Sequence, residues 1–114
     1  MKKLEIIIRP DKLEELKEIL NAYSVGGMTV TSVMGCGNQK GYTDESFKGL
    51  VLPNINLIPK IQVNVIVPKE LVEEILNNIH EKISTGTVGD GKVFVYEVEE
   101  AMRIRTGERG RKAV

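Results

Sequence analysis

One local pattern occurs twice in this chain: a run rich in Ile and Val, a proline, and then an amphipathic helical stretch. Leu4 to Ile8 is a β-branched run that stops at Arg9-Pro10; after Pro10 and Asp11, which suit a helix start, Leu13, Leu16, Leu20 and Tyr23 recur at helical spacing. In the second copy Ile61, Val63, Val65 and Val67 share one strand face against uncharged Gln62 and Asn64, and after Pro68 the residues Leu71, Val72, Ile75, Leu76, Ile79 and Ile83 make a second apolar stripe. Each helix leads into another strand, Met28 to Met34 after Gly26-Gly27, and Val93 to Tyr96 after a glycine-rich turn. Two strand–helix–strand halves with right-handed crossovers predict an α+β, ferredoxin-like split βαβ fold, with a four-stranded antiparallel sheet covered by both helices on one face. The uncovered face would show Ile7, Thr29, Thr31, Val33, Gln62, Asn64 and Ile66, a mixed and nearly charge-free surface suited to burial against further copies of the chain.

A chain of 114 residues holds one such domain, residues 1–114, and buries roughly two-thirds of its surface on folding. With no Trp, its core must come from Ile, Val and Leu. The formal net charge of zero argues against a general nucleic-acid or membrane-surface binder, even though Arg103, Arg105, Arg109, Arg111 and Lys112 make the tail basic. Neither a signal peptide nor a membrane-spanning run is legible, and a single Cys fits a reducing compartment, so a cytoplasmic location is expected. Cys36, between two glycines and without a second Cys or a nearby His, reads as a small structural residue rather than a catalytic thiol. His80 beside the second stripe lacks partners at ligand spacing and reads as a boundary histidine.

Three stretches carry the chemistry. Thr85-Gly86-Thr87-Val88-Gly89-Asp90-Gly91-Lys92 sets three glycines before a lysine, the composition of an anion cradle, although Val93 stands where a phosphate loop has a hydroxyl and a tight hairpin entrance reads the same way. Gly35-Cys36-Gly37-Asn38-Gln39-Lys40-Gly41 is a second glycine-punctuated turn, and Arg103-Ile104-Arg105 places two guanidinium groups on one face if the segment is extended. Three anion-binding elements in so short a chain suggest one polyphosphate site. Residues 38–58 show no clean period, begin polar and end apolar, and read as a long loop that docks on a ligand, a partner or a neighbouring subunit.

These motifs, with Ile8-Arg9-Pro10, Gly27-Met28-Thr29-Val30-Thr31, Pro59-Lys60 and Arg103-Ile104-Arg105-Thr106-Gly107-Glu108, give the chain an end-to-end resemblance to the PII nitrogen-regulatory signal proteins. The resemblance implies a non-enzymatic homotrimer that binds ATP or ADP in clefts between subunits. With Mg-ATP it would also take 2-oxoglutarate, and its long loop would engage a regulated protein such as an ammonium transporter or a nitrogen-metabolism enzyme. Carried over by motif, Ile7, Thr29 and Gly35 line the adenine and ribose side, and Gly37, Gln39, Gly89, Asp90, Gly91, Lys92, Arg103 and Arg105 hold phosphates. Gln39 also helps to hold Mg²⁺, and Lys60 pairs with a 2-oxoglutarate carboxylate. An enzyme is the weaker alternative, since Asp90 and Glu108 are neither paired carboxylates nor a base beside a nucleophile. A further alternative is a divergent PII-like sensor of another small metabolite serving a different transporter or enzyme.

The sequence departs from the family pattern in three places. Asn38 stands where the family often has Arg and Thr87 where it often has Lys, each at a cost of about 1.5–3 kcal/mol if a charge-assisted bond is lost. At the loop tip, Leu52 replaces the tyrosine that receives a uridylyl group and Leu50 falls at the phosphorylated serine, so neither modification is possible there.

Overall fold

The computed structural model describes residues 1–36 and 57–114. Strand β1 runs Lys2–Ile8, helix α1 Leu13–Ala22, β2 Met28–Cys36, β3 Leu57–Val67, α2 Val72–Ile83 and β4 Gly91–Glu97. The four strands form one antiparallel sheet in the order β2-β3-β1-β4, so β1 and β3 are central and β2 and β4 are edges. This is the ferredoxin-like split βαβ arrangement expected from the doubled pattern.

The two prolines mark helix starts from adjacent positions, Pro10 as the first residue of its turn and Pro68 just before its own. Arg9 and Pro68 are extended, and in each case the following residues close a 3₁₀ turn, Pro10–Lys12 and Lys69–Leu71, before the α-helix begins. Glu14 and Glu15 in the first turn of α1, and Glu73 and Glu74 in that of α2, lie where the helix dipole favours negative charge. Helix α1 ends differently from expectation: Ser24, with φ 51°, takes the left-handed position, and Gly26-Gly27 lie beyond it. Side-chain contact between Asn78 and the Tyr23 hydroxyl ties the end of α1 to α2.

Alternation in the strands meets the helix stripes in one core. Leu4, Ile6 and Ile8 of β1 and Val63, Val65 and Val67 of β3 pack against Leu16, Ile19 and Leu20 of α1 and Val72, Ile75, Ile79 and Ile83 of α2, all buried. The amphipathic stripe of α1 thus includes Ile19, whereas Leu13 and Tyr23 are only partly buried.

Register places Ile7, Thr29, Thr31, Val33, Gln62, Asn64 and Ile66 on the open face, as expected, but that face is not nearly charge-free. Lys3 and Glu5 of β1, Lys60 of β3 and Lys92 of β4 share it, together with Phe94 and Tyr96, because their pairing positions have the same parity. Glu5 accepts from Gln62 Nε2 at 3.3 Å and from the Tyr96 hydroxyl at 3.3 Å, while Lys3 lies over the Tyr96 ring. The Glu5 carboxylate pushes the Tyr96 phenol above its ordinary pKa. Strand β3 starts at Leu57, so the apolar end of the expected 38–58 loop belongs in part to the sheet; residues 37–56 lie outside the described part of the chain.

Candidate functional site

The glycine-rich stretch Thr85–Asp90 enters β4 through a closed knot of hydrogen bonds around one carboxylate. Asp90 accepts from the Thr85 amide at 2.8 Å, from the Gly86 amide at 3.0 Å and from the Thr85 hydroxyl, while its own amide donates to Thr87 O at 3.3 Å. Those donors, the Thr85 hydroxyl and amide first, hold the Asp90 carboxyl at about 2, below its ordinary 3.8. Both oxygens of Asp90 are therefore engaged inside the loop, and its contribution to an anion site is to shape the loop rather than to face the anion.

Three glycines make the path possible. Gly86, Gly89 and Gly91 have φ of 77°, 98° and 116°. Gly91 is the tightest: a Cβ there would lie 1.9 Å from the carbonyl oxygen of Ile7 on the neighbouring strand. Gly91 pairs with Ile8 and Lys92 with Ile7, so the residue after the loop is pinned to the central strand and Lys92 is set on the open face. The expected start of β4 at Val93 moves back to Gly91 for this reason: glycine alone lets the ladder begin that close to β1.

Two cations fasten the loop from the sheet side. Arg9 donates through Nε to Gly89 O at 3.1 Å and through Nη2 to Val88 O at 2.9 Å and to the Thr87 hydroxyl at 3.0 Å, and it stands 3.8 Å from Asp90 Oδ1. Lys60 Nζ donates to the same Gly89 carbonyl at 2.5 Å. Gly35 in β2 leaves space for the Lys60 stem, since a Cβ there would come within 3.2 Å of Lys60 Cγ. Arg9, Lys60 and Lys92 thus ring the loop with Asp90 as the acidic member, a surplus of positive charge. Beside the loop, a depression of about 230 Å³ is walled on one part by Ile8, Leu76, Ile79, Ile83 and Val93 and on the other by His80, Ser84 and Asp90–Lys92.

Ile7, Lys60, Gly89, Asp90, Gly91 and Lys92 are brought together at this end of the sheet, with Gly35 on the adjoining part of β2 and Thr29 farther along the same strand, opposite Asn64. Gly37 and Gln39 lie outside the described residues. Arg103 and Arg105 are not brought to the loop. Strand β4 carries the chain from Gly91 to Glu97, about 20 Å along the sheet, and the tail then stays at that far end. There Val98 N donates to Met1 O, and Arg111 pairs with Glu70 before α2.

Nor is Arg103-Ile104-Arg105 an extended segment. Gly107 N donates to Arg103 O at 2.7 Å and Arg103 N to Glu108 O at 2.8 Å, so residues 104–106 form a turn closed by Gly107 at φ 75°. Arg103 pairs with Glu108 at 3.4 Å, and Met102 bridges to Arg109. The sequence placed Thr85 and Thr87 in the loop without giving their hydroxyls a role, and it did not connect Arg9 to the loop at all. Thr85 and Thr87 carried a signal, hydroxyls two and four residues after a helix end, but nothing in spacing links Arg9 to a loop 80 residues later.

The model of the nitrogen regulatory protein P-II family matches residues 1–108. The chain belongs to that family. It is 46% identical over 114 residues to the nitrogen regulatory protein P-II of Haemophilus influenzae and equally so to that of Rhodospirillum rubrum, with all of both chains covered in each case. Nitrogen regulatory protein P-II 2 of Methanothermobacter thermautotrophicus is 47% identical over 114 residues, covering 97% of that relative. For the family member described here, no helix among the described residues is long and apolar enough to cross a membrane.

Proposed function

We propose that this protein is a non-enzymatic signalling protein of nitrogen regulation that binds ATP or ADP in clefts between the subunits of a homotrimer. Family membership supports the regulatory role. The observation that carries the intersubunit site is the separation of the two cationic sets: Lys60 and Lys92 stand by the glycine loop at one end of the sheet, and Arg103 and Arg105 project from the other. One copy cannot wrap both around a single polyphosphate, whereas the hairpin of a second copy set against the loop of the first can. The open sheet face, with Phe94 43% and Tyr96 46% exposed, supplies apolar surface for such an assembly.

The residues present fit a polyphosphate. Glycine amides, Lys92 and the two arginines are donors of the kind it needs, and the loop is already closed by Asp90. Ile7, Thr29 and Gly35 would line the nucleoside side, while Gly37 and Gln39 would contribute from the stretch after β2. Mg²⁺ would arrive with the nucleotide, held by its phosphates and Gln39, and would allow a dicarboxylate such as 2-oxoglutarate to bind beside them, paired with Lys60. The stretch at 37–56 would report the bound state to a regulated transporter or nitrogen-metabolism enzyme.

Isothermal titration with ATP and ADP, with and without Mg²⁺ and 2-oxoglutarate, tests the reading together with light scattering. Expected are a trimer, nucleotide binding, and 2-oxoglutarate binding only after Mg-ATP. Lys92→Ala should weaken ATP more than about tenfold without dissociating the trimer. A monomer at micromolar concentration, or unchanged ATP affinity in Lys92→Ala, refutes the site.

A further inference from the structure

Arg9 lies one residue beyond the end of β1. Continuing both of its registers by one residue sets it between Lys60 of β3 and Asp90 before β4, which is why a single side chain reaches four consecutive members of the loop. Its guanidinium holds Thr87 through the hydroxyl, Val88 and Gly89 through their carbonyls, and Asp90 through charge. The Thr87 contact exists because residue 87 has an acceptor; a lysine there has none and would set a second cation against Arg9. Gly89 O receives both Arg9 Nε and Lys60 Nζ, so its two lone pairs are both used.

We propose that Arg9 is the positioning residue of the anion loop: fastened through Thr87, it holds Thr85–Gly91 in binding shape and keeps the Gly89 carbonyl satisfied, which leaves Lys60 free to exchange that carbonyl for an incoming anion. The proposal rests on the reading of the loop as a nucleotide-phosphate site and assigns the division of labour within it. Arg9 stays, and Lys60 moves. An unsatisfied carbonyl resists the departure of its last donor, so without Arg9 the lysine is retained by the loop or the loop opens. Arg9 also puts back beside residue 87 the positive charge that threonine there lacks.

The test uses the full chain, wild type and with Arg9→Gln, Arg9→Lys and Thr87→Val. Backbone ¹⁵N order parameters of residues 85–91 in the nucleotide-free protein should be near about 0.85 in the wild type and fall below about 0.6 in Arg9→Gln, with Thr87→Val between them. Arg9→Lys, which restores charge but not the three-point geometry, should remain as loose as Arg9→Gln. ATP affinity should fall about tenfold in Arg9→Gln with the melting temperature unchanged. Order parameters that do not respond to Arg9→Gln, or that Arg9→Lys restores fully, overturn the clamp. A loosened loop with wild-type ATP affinity overturns its role in binding. If the wild type binds neither ATP nor ADP, the nucleotide reading fails, while the relaxation data still decide whether Arg9 positions the loop.

Discussion

Replacing Gly91 by alanine should be the most damaging single-methyl change in the described part of the chain, and the structure allows its cost to be apportioned. The new Cβ would sit 1.9 Å from Ile7 O and 2.9 Å from Ile7 C, both backbone atoms of a central strand that no rotamer change can move. To reach contact distance the carbonyl must retreat by about 1 Å, which breaks one or two ladder bonds worth about 1 kcal/mol each. The backbone at φ 116° adds strain of about 1–3 kcal/mol for a residue with a side chain. Together these give about 2–5 kcal/mol, a large part of the ~5–15 kcal/mol that holds a domain of this size. Gly86→Ala and Gly107→Ala separate the two contributions, since their φ values of 77° and 75° are also left-handed but nothing lies within 4 Å of either Cβ. Each should cost only about 1–2 kcal/mol. Urea unfolding followed by circular dichroism at one fixed protein concentration measures all three. If Gly91→Ala falls within about 1 kcal/mol of Gly86→Ala, the close approach of β4 to Ile7 is not what sets the loop.

Three further outcomes are expected. Ile75→Ala, at a side chain of α2 that is 0% exposed in the core, should lose about 2–5 kcal/mol in the same unfolding assay. The Thr85 and Gly86 amides should keep their bound resonance positions above about pH 4 and lose them as pH falls toward about 2, because a carboxyl with a depressed pKa stabilises only while it is ionised. Asp90→Asn should show no such transition over that range, and one that persists in the variant would assign it elsewhere. Salt should weaken ATP binding to the wild type more than to Lys92→Ala, measured by titration at two ionic strengths, since one cationic contact fewer leaves less to screen.

Much of this molecule follows from local chemistry. The β-branched runs, the prolines after them and the stripes at helical spacing specify four strands and two helices, and the parity of each strand specifies the buried face; those signals act within a few residues and survive without knowledge of the fold. The glycine loop was legible as a tight, glycine-dependent turn for the same reason. Its ambiguity with a hairpin entrance was real, because Gly91 serves both: it ends the loop and begins β4. What only the tertiary structure decided depends on pairing across long separations. The register of β1 against β3 and β4 brings Arg9, Lys60 and Asp90 side by side, although 51 residues separate the first two and 30 the last two, and no local pattern encodes that meeting. The same register sets Lys92 opposite Ile7, on a face that Ile7, Thr29, Thr31, Val33, Gln62, Asn64 and Ile66 suggested was nearly charge-free. And the length of β4, together with a turn at residues 104–106 where extension was expected, sends Arg103 and Arg105 to the opposite end of the sheet, because direction in space is set by the ladder and not by distance along the chain.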